Sequence, residues 1–495
     1  MSKPFKPYFY AAFVFALILQ NFGNSQAQTI EAKIKITDSN VFIEGDFKDT
    51  QNAQNVTNFS FLKSYTNIEN LGARISDVNL FDKNGQKVNY KKLGEGEFLA
   101  ESGFAAWNYR TDLSLPKNIS AMAHVSWISD AEGFLMLGDL LPELSEKTPA
   151  RITLPKDWTI TTAEKRTGEN VYDVSDVEKA IFFITKKSWR ELFFTDEIIG
   201  RKNSLIIKND LNLLISGEFL FDDSEAAKMA AEILINYQEL FAAKPNQKTR
   251  IFLLRFPKDT KPGRWEAETR GANVVIISSD MPFKTHSVQR LHEQLRHELF
   301  HLWFPNGVNL SGNYDWFYEG FALYTSLKTA VAMKQIRFED FLDTLARAHS
   351  IDTLQSQRVS LIEASKNRWN GANTQIYARG MLVAFLTDMA LLQKSKGKNS
   401  LTEVLREIYQ KHGISAPRED GNMAILNVLQ TRAELRPIVE KYIKGAENIT
   451  WQTDLDAIGI ESATENFATK LKVKADPNGR QKDLLDKLGY NNWRK

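Results

Sequence analysis

Near residue 221 the hydrophobic period of this chain changes, and that change limits what it can fold into. From about 28 to 215, runs such as AKIKITD, VNLFD, HVSWIS and ARITLP alternate apolar with polar residues and are punctuated by DKNGQ, LGEGE and SDAEG. Alternation at period two between turn-forming clusters describes half-buried strands. The stretch FDDSEAAKMAAEILINYQELFAAKP, from 221 to 245, opens on acidic and Ser capping residues, repeats apolar positions at spacings of three and four, and stops at Pro245. That is the pattern of an amphipathic helix with its end signals. Two strand-like runs follow, TRIFLLRF (249–256) and NVVIISS (273–279), and beyond 287 nearly every segment carries helical spacing. The expected fold is α+β: a β-rich, sandwich-like N-terminal domain over 28–215, a mainly helical domain over 216–450, and a small subdomain or tail over 451–495.

Composition narrows the partners. With 495 residues, 43% of them apolar, the chain has material for sizeable cores. Its net charge of +2 comes from interspersed signs, which create no field to recruit nucleic acid or an anionic membrane, and no nucleic-acid partner is expected. There is no cysteine, so a metal site would have to use His and carboxylate ligands. Lys3 and Lys6 precede an apolar run from Tyr8 to Leu19, and Ser25 and Ala27 follow in the small-residue spacing of a cleavage site. We read residues 1–27 as a secretory signal peptide cleaved after Ala27, which makes the mature chain secreted or periplasmic. The run of 12 residues is short for a membrane span, so no stable insertion is expected after cleavage; an uncleaved anchor is the alternative.

The chain has only seven His, and two of them flank a Glu in HELFH (297–301), inside RLHEQLRHELFHLWFP. Residues four apart on a helix share a face, so His297 and His301 can present two imidazole nitrogens to one point. Val288, Leu291, Leu295, Leu299 and Leu302 form a stripe on roughly the opposite face, which places the helix at the floor of a cleft. Zinc of the catalytic kind needs a third protein ligand and an open position. DWFYEGFALY supplies Glu319 among aromatics, where a carboxylate is costly to bury without a cation or an ionic partner. Pro305, Gly307 and Gly312 let the intervening chain turn back and set Glu319 opposite the histidines. The alternative partners for Glu319 are Arg296 and Arg379, but such a pair leaves HELFH unexplained. Glu298, next to the first ligand, takes the role of general base; the alternative is a solvated surface carboxylate.

HELFH followed by W-F-Y-E-G-F-A on the next helix resembles the signature of gluzincin metallopeptidases, with the nearest likeness to the glycyl aminopeptidase family and a similarity also to the aminopeptidase and leukotriene hydrolase family. YARGMLVAFLTDMALL (377–392) is similar to the Tyr-x-Lys-Gly helix of both, and VEKYIKGAENITWQTDLDAIGIE to the segment that closes the catalytic domain of the glycyl family. The likeness runs over about 220–460 and implies a thermolysin-like catalytic domain, one zinc ion, peptide or protein substrates and preferred aminopeptidase action. It also implies that Tyr377 stabilises the oxyanion and that Glu268, in RWEAETRGANVVII, grips a substrate's free amino group. The glycines that normally precede that Glu are missing here, which leaves an endopeptidase as the competing activity. From another class, a peptide-binding scaffold without turnover also fits, although HELFH, Glu319 and Tyr377 are all intact.

Overall fold

Alternating side chains shape the N-terminal sheet in the computed structural model, which describes residues 29–48, 56–143, 148–193, 198–199, 206–207 and 211–490. The expected signal peptide lies outside the described residues. The chain divides into two compact units, the first formed by 1–115, 126–160 and 164–186 and the second by 116–125, 161–163 and 187–495.

In the first unit, the strands Ile30–Lys35 and Asn40–Phe47 pair antiparallel with Ile34 opposite Ile43, so Ile30, Ala32 and Ile34 point inward while Lys33 and Lys35 point to solvent. They form the middle of an eight-stranded sheet among the described residues. Ile30, Ile43, Phe59, Trp107, Tyr109, Ile152 and Phe182 fill its core. The one polar atom that Tyr109 carries into this core is satisfied, because its hydroxyl donates to Leu140 O at 2.5 Å.

The second unit is built on a five-stranded sheet. Its strands are β1 (Arg190–Phe193), β2 (Leu211–Ser216), β3 (Thr249–Arg255), β4 (Trp265–Arg270) and β5 (Asn273–Ser278), in the order β1-β2-β3-β5-β4. β2, β3 and β5 run parallel, and the two edge strands, β1 and β4, pair antiparallel with their neighbours. β2 and β5 are buried at every position, which explains their unbroken apolar sequences: both faces are covered. The helices that concern the site are α1 (Asp223–Phe241), α2 (Lys284–Phe300), α3 (Asp315–Ala332), α4 (Phe338–Leu354) and α5 (Asn373–Ser395). α1 starts where expected: the Glu225 carboxylate accepts from the Asp222 backbone N–H at 3.4 Å. α5 is long and apolar enough to cross a membrane, but most of it is buried in the core of this unit.

Two boundaries differ from the sequence reading. The β texture continues past Lys186 because β1 and β2 belong to the second unit's sheet, and an alternating or apolar strand looks the same in either unit. The segment after 451 is neither separate nor loose: Trp451, Leu455, Ile458, Leu484 and Leu485 join the same hydrophobic core as α1 to α5.

Candidate metal centre and active site

Helix α2 is held by the leucine stripe. Leu291, Leu295 and Leu299 are buried in the core, which leaves the face of His297 and of His301, the residue that caps the helix, turned the other way. His301 Nδ1 lies 2.8 Å from Phe304 O, and a carbonyl only accepts, so this nitrogen carries the proton and Nε2 is the one turned to the site. The two Nε2 atoms are 3.2 Å apart.

Glu319 arrives from α3 by a backbone-to-backbone crossing. A Cβ placed on Gly320 would lie 2.4 Å from Gly380 Cα, and one on Gly380 would lie 2.7 Å from Trp316 O, so only glycine allows α3 and α5 to approach this closely. The crossing brings Glu319 and the start of α5, which carries Tyr377, to the histidines. Glu319 Oε2 is 3.2 Å from His297 Nε2 and 3.6 Å from His301 Nε2. It is buried and has no hydrogen-bond partner among the described residues.

These distances test whether a cation fits. Ligand atoms at the usual zinc distances in a tetrahedral arrangement are separated by roughly 3.3 Å, close to the 3.2, 3.2 and 3.6 Å found here. Charge points the same way. Burial raises the Glu319 carboxyl, but the Arg368 guanidinium and the two imidazoles outweigh it and hold the group well below the ordinary carboxylate range. Burial lowers His301, and Glu319 more than reverses this, raising it to about 9. The carboxylate thus calls for positive charge at the point the imidazoles face. With both imidazoles neutral, as ligands to a metal must be, Glu298, Glu319 and Asp315 against Arg368 leave two negative charges, the complement of a divalent ion. The three residues fit a metal.

Glu298 is buried on the same helix rather than solvated. Thr269, on β4, donates its hydroxyl to Glu298 Oε2 at 2.8 Å. Burial raises the Glu298 carboxyl, while His297, His301 and Thr269 pull it down. Asn306 fixes this junction of strand and helix, donating to Thr269 O at 2.9 Å and His301 O at 3.1 Å and accepting from Gly271 N at 2.8 Å. The Tyr377 ring is 6.3 Å from the His297 ring, and burial together with Glu319 keeps its hydroxyl protonated far above neutral pH.

Glu268 lies on the same edge strand as Thr269. Its side chain meets His124 Nδ1 at 2.6 Å and Arg270 Nε at 3.5 Å. Its neighbour on β4, Thr269, is the residue that contacts Glu298. Neither alternative partner of Glu319 is near it: Arg379 pairs with Asp352 at 3.0 Å, and Arg296 contacts His292 and Ser326. The partner is Arg368, 3.0 Å from Glu319 Oε1. Sequence reasoning missed Arg368 and Thr269. The first lies in NRWNG, between recognisable helices, and the second is one position from the Glu that drew notice.

No protein-family model matches the sequence, and no curated protein matches it. Solved structures do. An aminopeptidase N family protein from Idiomarina loihiensis superposes with a TM-score of 0.69 at 16% identity, over 88% of this chain and 79% of that one. An M1 zinc metallopeptidase from Deinococcus radiodurans gives 0.56 at 14% identity, over 86% of this chain and 95% of that one. A mutant of the latter with a bound Tyr-Ser-Ala substrate gives 0.54 at 14%, over 85% and 94%. The chain has the fold of these proteins, with a β-rich N-terminal part and a helical C-terminal part.

Proposed function

We propose that this protein is a zinc-dependent metallopeptidase that hydrolyses peptide bonds with activated water, with aminopeptidase action preferred. The observation that carries the reading is the spacing of His297 Nε2, His301 Nε2 and Glu319 Oε2, at 3.2, 3.2 and 3.6 Å, beside a buried carboxylate. A zinc ion held by these three groups would polarise the scissile carbonyl and lower the pKa of a water toward about 7. Glu298 is the base that would hold the proton between such a water and the leaving amine. Thr269 occupies Oε2 and fixes the carboxylate plane, so the other oxygen is left for the proton. Tyr377 Oη accepts from Arg368 Nη2 at 2.9 Å, so its own proton, which meets Glu319 here, is directed away from the guanidinium and is the one to donate to the oxygen where charge develops.

Glu268 is the proposed anchor for a substrate's free amino group, steadied by His124 and Arg270. Those same contacts favour the second reading: a carboxylate already facing an imidazole and a guanidinium has less charge to offer an ammonium, and an endopeptidase would not need it. The solved neighbour with bound Tyr-Ser-Ala supports a peptide as the substrate class. The charged and apolar start of the chain supports export after cleavage at Ala27.

Free-amine aminoacyl substrates and N-blocked peptides, assayed with the wild type, Glu298→Ala and added chelator, test the proposal. Cleavage of free-amine substrates only, lost in the variant and with chelator, is expected. Cleavage of blocked peptides would move the reading to an endopeptidase, and no cleavage of either would leave a binding scaffold.

A further inference from the structure

Arg368 is a buried cation beside a site that fits a metal cation, and this repulsive placement calls for a reason. Its side chain is 11% exposed, and each guanidinium nitrogen is engaged. Nε donates to Asn373 Oδ1 at 3.2 Å and Nη1 to Asp315 Oδ1 at 2.8 Å. Nη2 faces two acceptors: Tyr377 Oη at 2.9 Å and Glu319 Oε1 at 3.0 Å. The guanidinium plane also lies over Trp369, 4.4 Å from the ring centroid. A planar fork can satisfy all of these from one position, whereas an ammonium on a flexible stem cannot.

We infer that Arg368 is a positioning residue that couples the metal ligand to the oxyanion donor: through one nitrogen it holds the outer oxygen of Glu319 and the hydroxyl oxygen of Tyr377. This rests on the reading of the site given above. Glu319 is then divided, with Oε1 on the guanidinium and only Oε2 turned to the imidazoles. Tyr377 accepts from Arg368 and cannot spend its own proton there, so the O–H is directed away from the guanidinium, toward Glu319 in this structure and open to exchange for a substrate oxygen. Asp315 touches neither Glu319 nor Tyr377 in this chain of contacts; its part is to fix Arg368 from behind.

The test compares wild type, Arg368→Lys, Asp315→Asn, Tyr377→Phe and the Arg368→Lys/Tyr377→Phe double variant. Zinc dissociation constants are measured by chelator competition, and kcat and KM on the best substrate. Arg368→Lys is expected to weaken zinc binding about 10-fold, the usual effect of removing a group that orients a ligand. It should lower kcat about 100-fold with KM little changed, yet add less than about threefold to the loss in Tyr377→Phe, because both remove one coupled unit. Asp315→Asn should weaken zinc in the same direction by a smaller factor, and it carries the test alone if Arg368→Lys does not fold. Zinc constants unmoved in both variants, with kcat losses that multiply in the double variant, would overturn the coupling. A wild type that takes up no zinc would instead overturn the reading of the site on which it rests.

Discussion

Thr269 donates its hydroxyl to Glu298 Oε2 at 2.8 Å, joining the edge strand β4 to the carboxylate between the two histidines. In an account where Glu298 moves protons, this contact sets both the orientation and the basicity of the group. Thr269→Val keeps the shape and removes the donor. We expect kcat to fall about tenfold, the worth of one hydrogen bond to a charged group, with KM little altered. Steady-state kinetics check this, and an unchanged kcat would separate Thr269 from the chemistry.

The crossing of α3 and α5 at Gly320 and Gly380 is what carries Glu319 to the histidines. Gly380→Ala places a methyl 2.7 Å from Trp316 O and 2.9 Å from Gly320 Cα, so the helices must separate. We expect a loss of about 1–3 kcal/mol in stability together with weaker metal binding, read by denaturant unfolding and by chelator competition. Metal affinity that survives a real loss of stability would show that Glu319 is positioned by other contacts.

Arg379 is fully buried and shares Asp352 with Arg358, its Nη1 reaching Oδ1 at 3.2 Å and Oδ2 at 3.0 Å. Its other donors reach Tyr442 O at 3.2 Å and Glu447 O at 2.6 Å, so it fastens the C-terminal segment to α5. Asp352→Ala leaves a buried guanidinium without its anion and should cost about 3–5 kcal/mol. The double variant Asp352→Ala/Arg379→Met should recover much of that, as measured by urea unfolding.

His292 gives the fold an acid sensitivity. It is 2% exposed and its Nδ1 faces Arg296, which can only donate, so the imidazole must be neutral; burial and Arg296 lower its pKa to about 3. An unfolded His titrates near 6.5. Between these values the unfolded chain binds a proton that the folded chain refuses, so the stabilisation is complete above 6.5 and is lost as the pH falls. By pH 5 the loss is about 2 kcal/mol, at about 1.4 kcal/mol per unit. His292→Gln should flatten the dependence of stability on pH between 7 and 5; an identical slope in variant and wild type would contradict this.

Much of the site was legible in the sequence because its logic is local. HELFH fixes two imidazoles and a carboxylate through helical spacing alone, and the aromatics around Glu319 announce a buried charge that needs a partner. The structure brings His297, Glu298, His301, Glu319 and Tyr377 to one place. Arg368 and Thr269 act through distances that depend on how a loop and an edge strand meet the helices, and no residue pattern encodes those distances. Glu268 shows the same limit from the other side: its motif position was readable, but its pairing with His124, 144 positions earlier, was not. The α+β class followed from the change of hydrophobic period, whereas the end of the first unit did not, since β1 and β2 carry strand patterns on the far side of Lys186.

The central claim is that His297, His301 and Glu319 form a zinc site. Its most direct test is calorimetric titration of zinc into chelator-treated, dialysed protein, alongside His301→Ala. One ion per chain, with the binding lost in the variant and peptidase activity returning in proportion to the zinc added, is the predicted result. Failure to bind zinc stoichiometrically, or binding that His301→Ala leaves intact, would contradict it.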